Sequence, residues 1–189
     1  AEGKALADKI VGQIGRRGKA FGRGLSHAVG ADLDPAHLTP EQQVIWDRIA
    51  SGPRGGVRGP YFALLQSPQL CEEFERLGRY LRYDCAVPHH LRELSILVVA
   101  RRWKAQYEWF AHAPMAEKAG VSLKTIADLK AGRTPSKAQK DERAIYDFIK
   151  ELYKTKRVSD RTYAKVHGYL KDIGMVELVG ILGYYALIS

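Results

Sequence analysis

From Pro88 to Lys104 the chain reads PHHLRELSILVVARRWK, and this stretch constrains the fold more than any other. Proline at the start of a helix lacks only a donor that would be unpaired anyway, so Pro88 suits the opening. Behind it Leu91, Leu94, Leu97 and Val98 recur at helical spacing, and Val99 and Ala100 widen the stripe toward full burial. A helix covered on most sides needs other elements around it, and the rest of the sequence supplies helices. Thr39, Pro40 and Gln42 form the start of one, a capping box with proline at the first position, and Val44, Ile45 and Ile49 are expected on its inner face. Residues 60–67 give a short turn closed by Ser67-Pro68. The next helix carries Leu70, Phe74, Leu77 and Leu81 as its expected stripe. A helix from about Ala105 ends at Gly120, and Ser122 caps a short one that ends at Gly132. Ile145, Phe148, Ile149 and Leu152 line an amphipathic helix; Ser159 caps the following one, and Gly174 is expected to divide it from the terminal MVELVGILGYYALIS. No segment alternates with period two between strand-like turns. The fold class is all-α.

Composition narrows the rest. A hydrophobic fraction of 46% with 27% charged residues in a 189-residue chain is enough to build one ordinary core and argues against disorder. Apolar runs such as Ile96–Ala100 are too short to span a bilayer, so no membrane partner is expected. The net charge is +9, and six cations (Lys4, Lys9, Arg16, Arg17, Lys19, Arg23) face only Glu2 and Asp8 within the first thirty residues. Residues 1–37 therefore form a basic, glycine-rich arm, and residues 38–189 the helical domain. The arm reads as a solvated or neighbour-bound tail rather than a nucleic-acid contact, because Phe21 alone stands among its charges and the aromatic interleaving that stacks bases is absent. Cys71 and Cys85, fourteen residues apart, have no redox or metal-ligand spacing, and buried thiols are expected. The chain opens at Ala1 rather than Met, which suggests processing. The expected compartment is the cytoplasm, with an exported form left open.

The candidate chemistry lies in residues 89–119. Glu108 and His112 are four apart and share a helix face, where a carboxylate can fix an imidazole tautomer and raise its proton affinity. Glu93 stands in the apolar run of the preceding helix, so it is either paired or holds its proton unusually well. If the two helices pack antiparallel across the corner at 101–104, Glu93 faces His112 and completes a Glu–His–Glu relay. The alternative is an ordinary helical surface pair, with Glu93 bound to Arg92 or Arg102. The remaining histidines read as surface, cap or loop residues: His89 and His90 precede a helix, His167 sits among lysines, and His27 and His37 fall in loops. None has the spacing of a zinc site, so no metal is expected.

These residues resemble a known family. Arg92-Glu93-Leu94, the apolar run, Tyr107-Glu108-Trp109-x-x-His112 and Ala119-Gly120-Val121-Ser122 are similar to the carboxymuconolactone decarboxylase family of the alkyl hydroperoxidase D-like superfamily. Gly59-Pro60-Tyr61, Ser67-Pro68, Val158-Ser159-Asp160, Val176-Glu177-Leu178-Val179 and Gly183-Tyr184-Tyr185 extend the likeness from about Leu38 to Ser189. The resemblance implies an alkyl hydroperoxidase D-like helical bundle, assembled as a homo-oligomer, trimer or hexamer, with the terminal helix buried between protomers. In the hydroperoxidase branch a Cys-x-x-Cys pair precedes the histidine by seven and four residues. Here those positions are Ala105 and Glu108, so the chain falls in a branch without the redox centre.

The function implied is that of a cofactor-free lyase, a decarboxylase of aromatic degradation acting on a small lactone or carboxylic acid. His112 would donate the proton, Glu108 would orient it, and Glu93 would act as relay or second acid. Arg58 is the candidate for the substrate carboxylate, since a guanidinium binds it through two hydrogen bonds. Tyr61, Tyr107 and Trp109 complete the expected substrate contacts. A non-enzymatic oligomeric small-molecule-binding protein is the alternative, and a thiol-dependent hydroperoxidase-type antioxidant protein stands last.

Overall fold

The computed structural model describes residues 33–189, and the basic arm lies outside the described residues except for its last five positions. Within them every regular element is helical. Helix α1 spans Pro40–Ser51, α2 is the short Tyr61–Leu64, and α3 spans Pro68–Arg79 and runs on into a π-helical turn, Tyr80–Asp84. Then come α4 (His89–Trp103), α5 (Gln106–Lys118), α6 (Leu123–Lys130), α7 (Lys140–Thr155) and the long α8 (Asp160–Ile188). No helix among the described residues is long and apolar enough to cross a membrane.

Helix α4 is the axis. All ten residues from Leu91 to Ala100 are buried, and α5, α6, α7 and α8 pack around it. The apolar faces of α7 (Ile145, Phe148, Ile149) and α8 (Val166, Leu178, Ile181) close that core. A second, smaller cluster joins Ile45, Ile49, Val57 and Leu65 with Cys71 beneath α1 and α2. Caps stop the elements where the sequence places them. Thr39 and Gln42 bond reciprocally, and the Ser122 and Ser159 hydroxyls accept from the amides of Thr125 and Thr162. Gly120 and Gly132 take positive φ after α5 and α6.

Three expectations about faces need correction. Val44 is exposed while Ile45 and Ile49 are buried, so α1 presents a narrower stripe. In α3, Leu70 and Leu77 are half exposed, and the buried line is Cys71, Glu75 and Gly78. Gly78 decides that orientation: a Cβ there would stand 2.1 Å from the Tyr184 hydroxyl, so this side of α3 lies tight on α8. The break in α8 falls at Lys171 (φ 56°), not at Gly174. Gly174 is buried and helical; a Cβ would come within 2.9 Å of the Leu170 side chain, so this glycine serves close packing just after the break.

Candidate functional site

The corner after α4 is made by Lys104 in a left-handed conformation (φ 58°), and the Ala105 amide bonds back to the Ala100 carbonyl. Helix α5 thereby returns along α4. Glu93 from the middle of α4 meets His112 from the second half of α5: His112 Nδ1 lies 2.7 Å from Glu93 Oε2. On the other side of the ring, His112 Nε2 lies 3.5 Å from Glu108 Oε2. All three side chains are buried, Glu93 and His112 at 1% and 2% exposure. The edge of Tyr185, from the last turns of α8, stands against the imidazole with ring centres 5.1 Å apart.

The two acids differ in kind. Glu93 carries the short contact and is thus the residue that orients the ring, a role the sequence spacing had given to Glu108. Glu108 has no hydrogen bond to any described residue. Burial pushes its carboxyl above the ordinary range, and the charges of His112, Arg82 and Arg54 oppose this only in part. Burial likewise raises the Tyr107 and Tyr185 phenols, and the neighbouring Glu108 adds to both shifts. Glu93 and His112 Nδ1 share one proton across the short contact, and the Nε2 side faces a carboxyl that burial pushes upward. That is the arrangement needed to pass a proton inside a dry site.

Around this core lies a layer of arginine and tyrosine. Tyr61 is buried, and its hydroxyl lies 3.1 Å from that of Tyr184. The Arg54 guanidinium stacks 4.8 Å over the Tyr61 ring; its side chain is nine-tenths buried, and its Nε makes no hydrogen bond but lies 3.7 Å from Glu75 Oε1. Tyr107 is half-buried against Gly59, whose positive φ and missing Cβ allow the ring within what would be 2.2 Å. Trp109 packs partly buried on the main core. Arg58 is exposed and donates to the carbonyls of Arg54 and Gly55, so it braces its own loop. Arg54, the residue that does point inward, carried no mark in the sequence beyond its place in a glycine-rich loop.

His89 was expected to be a cap or surface residue. It makes no cap bond; its Nε2 lies 3.6 Å from Glu93 Oε1. Cys71 and Cys85 are free, and burial together with Glu75 pushes the Cys71 thiol up to about 12. A thiol held that high supplies almost no thiolate at neutral pH.

Two grooves mark the surface, and neither is lined by Glu93, Glu108 or His112. One of about 670 Å³ runs between α7 and the first part of α8, past Arg143, Lys165 and Tyr169. The other, about 440 Å³, is walled by Arg101, Arg102, Arg133 and Lys150 beside Tyr146 and Tyr153. Among the described residues no group of three or more His, Cys, Asp or Glu is arranged to hold a metal ion. Comparison with protein families and with curated proteins returns no match for this chain.

Proposed function

We propose that residues 38–189 are an alkyl hydroperoxidase D-like bundle of the carboxymuconolactone decarboxylase kind, and that the chain is a cofactor-free lyase acting on a small lactone or carboxylic acid. The observation that carries this reading is the buried triad: one imidazole between two acids, short to Glu93 and facing a Glu108 whose carboxyl burial pushes above the ordinary range. Loss of carbon dioxide from an acid conjugated to a lactone leaves electrons delocalised into the ring carbonyl. The protein must then neutralise that charge and protonate carbon. Glu108 and His112 Nε2 are assigned the delivery of this proton, and Glu93 holds the ring in register. Arg54 and Arg82, whose charges act on Glu108, are assigned the substrate anion in place of Arg58. Entry is past the glycine-rich loop 52–60, which carries Arg54 and lies against Tyr107.

The exposed apolar residues Ile173, Val176, Val179 and Leu187 along α8 support the oligomer in this proposal, because a second protomer would cover them. A panel of lactone carboxylic acids, assayed for carbon dioxide release, tests the chemistry. Wild type should turn over at least one, and His112→Gln and Glu93→Gln should each lose about 10²–10⁴-fold in rate, with melting followed to separate lost chemistry from lost fold. No turnover by wild type, or wild-type rates in His112→Gln, overturns the reading. A second reading, an oligomeric small-molecule-binding protein, is favoured by the two grooves lying away from the triad. It expects a ligand to bind without reaction and to bind equally well in His112→Gln.

A further inference from the structure

All three members of the triad are buried, yet a reaction that consumes a proton at every turnover must draw that proton from water. His89 is the fourth member of the chain of contacts. Glu93 uses its two oxygens on two imidazoles: Oε2 on His112 at 2.7 Å and Oε1 toward His89 at 3.6 Å. The two histidines differ in surroundings, the His112 side chain being 2% exposed and that of His89 55%. The contacts therefore run in order from Glu108 through His112 and Glu93 to a side chain standing in solvent. His89 is the first residue of α4, just after its N-cap Pro88, so its side chain is not engaged as a cap. Four residues on, its ring lies over Glu93 on the same face. A separation of 3.6 Å closes with a small rotation of an exposed ring or with one bridging water.

We propose that His89 is the solvent end of a proton conduit, reloading the buried acids through Glu93. The proposal rests on the proton-transfer reading of the triad and adds its route to water. The balance is simple. The cycle starts with the Glu93–His112 proton on Glu93 Oε2 and with His112 protonated at Nε2: once Glu108 has given a proton to substrate carbon, it takes one from His112 Nε2, His112 Nδ1 takes one from Glu93 Oε2, and Glu93 Oε1 takes one from His89 Nε2, after which the ring returns to its Nε2–H form before the next turn. His89 then takes one from water, so one proton enters for each one delivered. No electrons change hands. His90, next in the chain, points elsewhere and pairs with Asp141 of α7 at 2.9 Å, which makes it a natural control.

The test needs no substrate. In the ¹⁵N-labelled full chain, the exchange of the His112 ring N–H with water is measured by NMR in wild type, His89→Leu and His90→Asn. The expected result is at least about tenfold slower exchange in His89→Leu, an unchanged rate in His90→Asn, and recovery in His89→Leu when free imidazole is added. A merely structural His89 would alter the melting temperature without a response to imidazole. Unchanged exchange in His89→Leu, or equal slowing in both variants, overturns the conduit. Conduction without turnover of any lactone acid would retain the conduit and overturn the decarboxylase reading alone, so the two failures are distinguishable.

Discussion

Two buried carboxylates in this chain have opposite fates. Asp128, in α6, is 1% exposed and fully met: it accepts from Lys124 Nζ at 2.5 Å, from Arg133 Nε and Nη2, and from the Ser136 amide and hydroxyl at 3.0 and 2.7 Å. The Lys124 and Ser136 bonds hold it well below the usual carboxylate range. Glu108, in α5, is nearly as buried, has only His112 Nε2 at 3.5 Å, and is pushed the other way. Neither side chain meets much water, but Glu108 lies deep and almost without donors while Asp128 lies near the surface among several, so depth and donor supply together set the two apart. Asp128 is an ion that fastens the loop after α6. Glu108 is an acid that burial makes harder to ionise, and a group in that condition is useful for moving protons rather than for holding structure.

The largest effect is expected where the unmet region loses its centre. His112→Ala leaves Glu93 and Glu108 buried without the ring between them. Removing one partner of a buried pair costs on the order of 3–5 kcal/mol. Thermal melting at neutral pH should register that loss, and part of it should return when Glu93 is made Gln in the same chain, since the stranded acid is then neutral. A melting temperature equal to wild type would mean that the triad is not coupled, and the contrast with Asp128 would disappear.

The meeting of Glu93 and His112 was legible because both lie on one helical hairpin, whose corner and periodicity fix which faces meet. Contacts that close over long chain separations were not. Tyr61 and Tyr184 are 123 positions apart, and nothing in either segment announces the other. Arg54 and Tyr185 reach the site by the same long-range closure. The stripe of α3 held at Phe74 and Leu81 and failed at Leu70 and Leu77 for a different reason: the covered side carries Cys71, Glu75 and Gly78, which hydropathy does not mark. Gly78, which the apolar spacing passes over, was the informative one, because its bare surface receives the Tyr184 ring. In α8 the glycine that looked like a divider proved to be a packing site, and a lysine took the strained backbone instead. Caps and helix ends were legible almost throughout, since their signals are local.

The comparison sharpens with pH. Asp128 binds its proton less readily folded than unfolded, so its contribution is present above the unfolded carboxylate pKa of about 3.9 and fades as pH falls through the folded value. Asp128→Asn should melt several degrees lower than wild type at pH 7, with faster hydrogen exchange at the Ser136 amide. The gap should narrow steadily below about pH 4. A gap that stays constant with pH would mean that the shape of the side chain, not its charge, fastens the loop.

The smallest expected effect has the opposite sign. Glu108 binds its proton more tightly folded than unfolded, so wild-type stability is highest below the unfolded value of about 4.3 and declines as pH rises toward the folded one. Gln fills the same space without that penalty. Glu108→Gln should therefore match wild type in acid and melt about 2–4 °C higher at pH 7, the shift that roughly 1 kcal/mol makes in a domain of this size. A variant that is more stable yet slower in proton transfer would show Glu108 maintained against stability, as reactive groups commonly are. A variant that melts lower at pH 7 would show Glu108 ionised and held by His112. The two carboxylates would then be the same kind of group, and the proton-donor role would pass to His112 alone.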